Sequence, residues 1–380
     1  MKRAVLLRTN PVNPDPPVEK MAETLKEKGY HVEIVAWDRA TAYERREETL
    51  ETTNHCEIKI TRFGIPAVYG GGMKRNLKAL IVFQKRLKAW LKKHREEYDV
   101  IHAFDFDTGW IAKKIAKKYD KKFVYHVLDF YADSHFSQKG ILRGIIKKLE
   151  FSVINKADAT IVCTEKRKEQ IKGSRPRKLM VIHNTPKFDI HNIRSEIVVK
   201  PSKRWKIVYV GVFTKGRLLE ELSQIVKENP DLLELHIGGY GEQEALIKKY
   251  AENSENIFYY GKLKYSDVLA LEKQCDIMTA IYDPNIPNHK YAAPNKFYES
   301  LALNKPIIMA KHTGFDDFFD AHNIGCLIEY NKNSLEEGIK GLAERLKLRL
   351  DAEISNDEIY RTYFSWELMA RRMEELYNAL

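Results

Sequence analysis

The stretch Tyr291-Ala-Ala-Pro294-Asn295-Lys296-Phe-Tyr-Glu299-Ser-Leu-Ala-Leu-Asn-Lys-Pro306-Ile-Ile-Met309 reads as a helix running into a strand. Pro294 and Asn295 mark the helix entry, because proline is tolerated in a first turn and asparagine is a good N-cap. The helix stops at Asn304-Lys305-Pro306, and Ile307-Ile308-Met309 has the apolar, β-branched character of a buried strand. Unbonded amides and the positive dipole end favour an anion at the entry, where Lys296 adds a full charge. Glu299 falls one turn later on roughly the same face, where a carboxylate can accept two hydroxyl protons from a diol. Phosphate at the helix start and ribose on Glu299 together describe a nucleoside diphosphate. A capped helix with a surface Lys–Glu pair has the same local sequence, so the surroundings must decide.

Helix-to-strand alternation of this kind runs through the whole chain. Strand-like runs occur at 4–7, 32–36, 57–60, 100–103, 123–127, 160–163 and 180–183, and again at 207–210, 233–237, 257–260, 277–281, 307–310 and 326–328. Helical periods at 18–28 and 109–118 are among those between them. Apolar strands separated by helices predict parallel sheets covered on both faces, hence two doubly wound Rossmann-like α/β domains. A length of 380 residues suits two such domains. The aperiodic, turn-rich segment 185–204 is expected to be the linker between a first domain at 1–184 and a second at 205–364. An amphipathic helix over 365–380, with Ser365 as its cap, closes the chain.

Ligands of open parallel sheets bind at the carboxyl ends of the strands. Two such domains facing each other would place one substrate on each side of a cleft. After the first strand, residues 9–20 carry four prolines and Asn10 in a stiff loop at a binding edge. Asp105 follows the fourth strand, with Asp107 two residues on, and Asp129 follows the fifth. Carboxylates there suit sugar hydroxyls or acid–base work, so Asp105 and Asp129 are the acceptor-side catalytic candidates. Asp105-Phe-Asp107 also has the D-x-D spacing that can hold a divalent ion, although Asp107 can equally cap the next helix. Asn10, Gly71, Gly72 and His102 complete the acceptor-side candidates. In the second domain Gly211 precedes Lys215 and Arg217 where a helix begins, a second phosphate-friendly site. Gly238-Gly239-Tyr240-Gly241-Glu242 lacks the third glycine of a dinucleotide fingerprint, which argues against NAD.

Net charge is +11, unevenly spread. Residues 1–200 hold 41 Lys and Arg against 25 Asp and Glu, a net of +16, whereas the remainder holds 23 against 28, a net of −5. Nine Lys and Arg and no acid lie between Lys74 and Arg95, interleaved with Leu77, Leu80, Ile81, Leu87, Trp90 and Leu91. A basic amphipathic helix of this kind predicts attachment to an anionic membrane surface through 74–95. A second basic segment, 139–148, is expected to turn its apolar residues to the core. No run reaches the ~18 apolar residues of a spanning helix. Four scattered cysteines form no C-x-x-C pair, which suits a reduced, cytoplasmic chain without a zinc site; with the basic helix, a peripheral place at the inner face of the cell membrane is expected.

In their order and spacing these residues resemble the glycosyltransferases of family 4, which have the GT-B fold. The likeness rests on 9–20, Val181-Ile-His-Asn184, Ile237-Gly-Gly-Tyr-Gly-Glu242, Ile257-Phe-Tyr-Tyr-Gly261, Ala293-Pro-Asn-Lys-Phe-Tyr-Glu299 and Ser365-Trp366-Glu367, and it runs nearly end to end. The resemblance implies a retaining transfer from a nucleotide-diphosphate sugar, such as a UDP- or GDP-sugar, to a lipid-linked, polysaccharide or other glycan acceptor, with no metal required. It implies a donor site on the second domain, with Lys215, Arg217 and Lys296 on the diphosphate and Glu299 on the ribose, flanked by Gly211, Tyr240 and Asn295. It also implies a terminal helix that returns to the first domain. Two positions depart from the family: Tyr291 stands where a second Glu is common, and Phe104 or Asp105 where many members have His. His289–Tyr291 is therefore the expected source of donor selectivity. A nucleotide-sugar epimerase of the same architecture is the alternative enzyme. A basic nucleic-acid-binding protein is the alternative from another class, opposed by aromatics that fall within apolar periods, so no nucleic-acid partner is expected.

Overall fold

The computed structural model describes residues 2–52, 54–68, 72–135, 140–187, 193–348 and 355–380. Gly71 and linker residues 188–192 lie outside the described residues. The chain divides into two compact units, Met1–Asn184 with Glu367–Leu380, and Thr185–Trp366.

The first unit contains β1 (Arg3–Arg8), β2 (His31–Asp38), β3 (Tyr43–Glu51), β4 (Glu57–Gly64), β5 (Val100–Phe104), β6 (Lys122–Val127), β7 (Ala159–Val162) and β8 (Leu179–Val181). They form one sheet in the order β3-β4-β2-β1-β5-β6-β7-β8. Every pairing is parallel except that of β3, which runs antiparallel to β4 at the edge. The strand β3 escapes an apolar-run reading because Tyr-Glu-Arg-Arg-Glu-Glu-Thr-Leu-Glu has no such run. Charge on an edge strand blocks pairing with other chains, so its polarity is itself a structural device.

The second unit contains β9 (Trp205–Val212), β10 (Leu233–Tyr240), β11 (Ile257–Tyr259), β12 (Ile277–Ala280), β13 (Ile307–Ala310) and β14 (Gly325–Ile328). All are parallel, in the order β11-β10-β9-β12-β13-β14. Counted from the first strand of the unit this is 3-2-1-4-5-6, the Rossmann order, and the strand direction of travel reverses between β9 and β12. In the first unit the same reversal lies between β1 and β5. The crevice outside the carboxyl ends at each reversal is where a ligand is expected.

Several helices differ from the sequence reading. The proline run is half helical, because Pro16 and Pro17 occupy the first turn of the helix Pro16–Glu27 and only 9–15 remain loop. The helix after β5 begins at Asp105, so Asp105 and Asp107 belong to its first turn rather than to a loop. In the helix Asn295–Ala302 the N-cap is Pro294, and Asn295 is the first helical residue with no side-chain cap.

The two basic helices divide their apolar residues between core and solvent. Within Gly72–Lys93, Phe83, Leu87, Trp90 and Leu91 are buried in the core, whereas Leu77, Ile81 and Val82 are exposed. In Ile141–Ile154 three of the apolar residues expected to face the core do not, Ile141 being 86% exposed, Leu142 53% and Ile145 50%, whereas Ile146 and Leu149 pack against it. Only the far end of that helix, at Glu150, Val153 and Ile154, is fully buried.

The terminal helix Trp366–Asn378 inserts Met369, Met373, Leu376 and Tyr377 into the first unit. There the Tyr377 hydroxyl meets His102 Nδ1 at 2.7 Å, and Arg372 donates to the Val181 carbonyl at 3.0 Å.

Candidate active site

At the reversal point of the second unit, the end of β9 is Tyr209-Val210-Gly211-Val212. A Cβ on Gly211 would stand 2.8 Å from the Lys296 ammonium, so glycine here lets the cation lie against the strand backbone. The Lys296 ammonium is also 5.0 Å from the centre of the Tyr209 ring. Burial lowers the Lys296 pKa, but Tyr209, Tyr282, Glu299 and Glu272 around it outweigh burial and hold it above its ordinary value. Lys296 is therefore a fixed cation.

Arg217, from the loop after β9, lies flat on Tyr282 with its guanidinium carbon 3.5 Å from the ring centre. Its Nη1 is buried and has no hydrogen-bond partner. A buried guanidinium nitrogen without an acceptor is costly unless an anion arrives to take it. Behind Tyr282, the His289 ring packs edge-on at 5.1 Å, and its Nδ1 sits 3.0 Å from the Asp283 carbonyl oxygen. His289–Tyr291 thus form a single 3-10 turn supporting the ring that carries Arg217.

The neighbouring glycine motif has a structural role. A Cβ on Gly239 would fall 1.8 Å from the Gly211 carbonyl oxygen, and one on Gly241 would fall 2.6 Å from that of Phe213. These glycines let β10 press against β9. Glu242 then accepts the Lys215 amide proton at 2.7 Å, fixing the loop, while the Lys215 side chain is exposed. Tyr240 ends β10, 40% exposed, under the Lys262 ammonium.

Glu299 is 3% exposed and accepts a hydrogen bond from the Tyr265 hydroxyl at 3.0 Å. Glu272 is fully buried beside it, and neither of its oxygens has a partner. Burial, and then the repulsion of Glu299, drives the Glu272 pKa well above the carboxylate range, against the pull of Lys296. Sequence reading missed Tyr209, Tyr265, Glu272 and Tyr282, which look like ordinary strand and helix residues.

In the first unit the reversal point is closed by charge. Arg8, ending β1, bonds Asp15 at 2.6 Å and Asp105 at 2.5 Å. The other Asp105 oxygen accepts the amides of Leu128 and Asp129 at 2.9 and 3.1 Å. Asp105 adopts φ +61°, a left-handed conformation uncommon outside glycine and asparagine. The sequence candidates Asp105 and Asp129 are therefore brought together, but Asp105 ties β1, β5 and β6 as a strut. The Asp129 carboxylate faces outward and is 3.2 Å from Arg167. Asn10 bonds Asp15 at 2.5 Å and accepts the Val12 amide proton at 2.8 Å, shaping the proline loop. Gly72 begins the first basic helix.

His102 does not belong to this edge. It is fully buried, one nitrogen facing Tyr377 and the other His126 at 3.2 Å, and burial depresses its pKa to about 3. It is a core residue, neutral and satisfied.

Asp107 is the titratable group of interest. Burial, and then the charge of Asp105, raises its pKa to about 7, opposed by Arg39 and a hydrogen bond from Tyr131. A carboxylic acid whose folded pKa exceeds the unfolded value stabilises most when protonated, and that contribution is lost as pH rises from about 4 to 7. The Asp107→Asn variant escapes the loss. Its urea midpoint relative to the native chain is expected to rise between pH 4 and pH 8; a flat difference would contradict the buried-acid reading.

Among the described residues no group of His, Cys, Asp and Glu is placed to hold a metal ion. The Asp105-Phe-Asp107 spacing is used otherwise, by Arg8 and Tyr131.

Residues 18–185 match the family described as Glycosyltransferase Family 4, and residues 192–356 match Glycosyl transferases group 1. The chain is a family 4 glycosyltransferase. No curated protein sequence matches it. Among solved structures, this glycosyltransferase is similar to sucrose-phosphate synthase from Thermosynechococcus elongatus, at TM-score 0.73 and 16% identity over 100% of this chain and 98% of that one. It is also similar to Anabaena HepE in complex with UDP-glucose, at 0.71 and 14% over 100% of both chains. The lipopolysaccharide outer core galactosyltransferase WaaB gives 0.65 and 15% over 100% and 99%. These likenesses show the GT-B fold for the glycosyltransferase.

Proposed function

We propose that the glycosyltransferase moves a sugar, with retention of anomeric configuration, from a UDP- or GDP-sugar to a lipid-linked or glycan acceptor at the inner face of a membrane. The second unit holds the donor and the first the acceptor. The observation that carries the donor assignment is the buried, unpartnered Nη1 of Arg217 beside the fixed Lys296 cation at the strand reversal. Two preformed cations suit a leaving diphosphate, whose charge grows as the glycosidic bond breaks and an oxocarbenium-like centre develops. Lys215, exposed on the same loop, adds a third contact. Glu299 takes the ribose, and the Tyr265 hydroxyl positions its carboxylate. Asn295 and Tyr240 border the site, and His289–Tyr291 set donor selectivity through Tyr282. UDP and UDP-glucose complexes of the similar HepE structure support a nucleotide-sugar donor. On the acceptor side Asp129 is the exposed carboxylate, its backbone amide held by Asp105.

Support for the membrane face comes from three helices that pack side by side, Gly72–Lys93, Asp105–Tyr119 and Ile141–Ile154. Leu77, Ile81 and Val82 on the first and Ile141, Leu142 and Ile145 on the third are exposed, with the exposed cations Arg75 and Lys78 among the former. Exposed apolar side chains interleaved with cations on neighbouring helices suit an anionic bilayer better than one basic helix alone. No described helix is long and apolar enough to cross a membrane.

The test is turnover of UDP- and GDP-sugars with and without a lipid-linked acceptor, reading nucleotide release and the anomeric configuration of the product. Acceptor-dependent release with retention is expected. Conversion of the donor without acceptor or nucleotide release would instead mark an epimerase. Binding to anionic vesicles is expected at low salt, weakened by salt and by Ile141→Asp with Ile145→Asp. No binding at low salt would reject the membrane assignment.

A further inference from the structure

Away from both strand reversals, the first unit has a cavity of about 580 Å³ at the amino-terminal edge of β6 and β7. It is formed by the end of the helix Asp105–Tyr119, the turn into β6, the end of the helix Ile141–Ile154 and the approach to β8. The first helix contributes Lys113, Lys114 and Lys117, and the turn Lys121 and Lys122; Lys156 and Arg177 close the other side. Among the described residues none of the six lysines makes an ion pair, although many lysines elsewhere on the surface do. Two carboxylates line the cavity. Asp158 is already occupied by the Phe123 amide and Arg177, both at 2.9 Å. Asp120 is exposed at the end of its helix.

The helix ends themselves do not account for this charge. Each carries about half a negative charge, so two of them offset only about one of the five excess positive charges. The lysines also press on one another. The Lys113 pKa is lowered, first by burial and then by the charges of Lys114 and Lys156 from across the cavity. An anion between them would relieve that repulsion.

We propose that this cavity binds a small soluble anion carrying two or more phosphate groups. Its volume lies within the usual range for small-molecule sites, and its concavity suits a compact polyanion rather than a planar bilayer. Nucleic acid is disfavoured because the aromatics here offer no open stacking platform: Phe123 in the lining is buried, and the Lys113 and Lys114 ammoniums lie over the Trp110 ring at 3.9 and 4.4 Å. Lys113 is held further by the Ser152 hydroxyl at 2.9 Å, so part of the site is ordered in advance. The site is separate from the donor cage and does not depend on it.

Calorimetric titration with inorganic tripolyphosphate at low salt tests this, with orthophosphate as the weak reference. The Lys296→Ala full chain weakens competing binding at the donor cage. Tripolyphosphate is expected to bind that chain, and the further pair Lys117→Glu and Lys156→Glu to weaken binding at least about tenfold. Both lysines are exposed, and neutral Gln versions at the same positions give a milder second measurement in the same direction. Lys227→Glu with Lys249→Glu changes the net charge equally in the other unit and is expected to leave affinity unchanged. Absence of binding would overturn the proposal, as would equal loss in the two charge-reversed pairs. It would also fail if the cavity pair lost binding to anionic vesicles that tripolyphosphate does not displace, since the lysines would then belong to the membrane face.

Discussion

Lys296→Ala is expected to lower kcat/KM for nucleotide-sugar turnover by about 10²- to 10³-fold, the usual cost of removing one preorganised group that stabilises charge in a transition state. Most of the loss should fall on kcat, because charge on the diphosphate is greatest as the bond breaks. The fold should survive. Lys296 makes no ion pair among the described residues, and its ammonium rests against Gly211 and Tyr209 rather than bridging elements. Removing it deletes a buried charge, and the Tyr265 hydroxyl still holds the neighbouring Glu299 carboxylate. Unchanged turnover in a correctly folded variant would remove Lys296 from the chemistry.

Arg8 should behave in the opposite way, with a large effect on stability. Its side chain is 15% exposed and holds two carboxylates, Asp15 and Asp105, that are themselves largely buried. Burial lowers the Arg8 pKa, but the two carboxylates more than compensate and hold the guanidinium charged. In Arg8→Met the packing volume is roughly kept and the charge is lost, leaving both acids uncompensated. Breaking such a pair costs about 3–5 kcal/mol. The sign of its pH dependence separates this cause from simple mispacking. Burial already holds the Asp105 pKa above its ordinary value, and Arg8 is the charge that opposes this. Without Arg8 it rises further, so more stability is lost as pH climbs from the unfolded to the folded value. Urea unfolding should therefore find Arg8→Met less impaired at pH 4 than at pH 8, and a second change, Asp105→Asn, should restore part of the loss. Equal destabilisation at both pH values would contradict the charge account.

The legibility of the chain follows from the range over which each feature is encoded. Runs such as Ile307-Ile308-Met309 carry their own burial signal, so thirteen parallel strands could be read directly. The strand β3 could not, because a charged edge strand is defined by its partner β4 and not by its own hydrophobicity. Lys296 and Glu299 were visible as cation and carboxylate one helical turn apart. Their supports were not. Tyr209 and Tyr282 read as strand aromatics, and only the sheet order places both beside the same two cations. Asp105 looked like a catalytic carboxylate because its partner Arg8 lies 97 residues away. The apolar face of Ile141–Ile154 was misread for a related reason: helical periodicity shows that a face exists, not what covers it.

The central claim is that Arg217 and Lys296 hold a nucleoside diphosphate. Thermal denaturation of the full chain with UDP, GDP and ADP in turn tests it most directly. At a concentration near 100 times Kd, the matching nucleotide should stabilise the native chain by about 2.7 kcal/mol and the Lys296→Ala and Arg217→Ala chains far less. If no nucleoside diphosphate raises the melting temperature, or if both variants respond as strongly as the native chain, the donor site lies elsewhere.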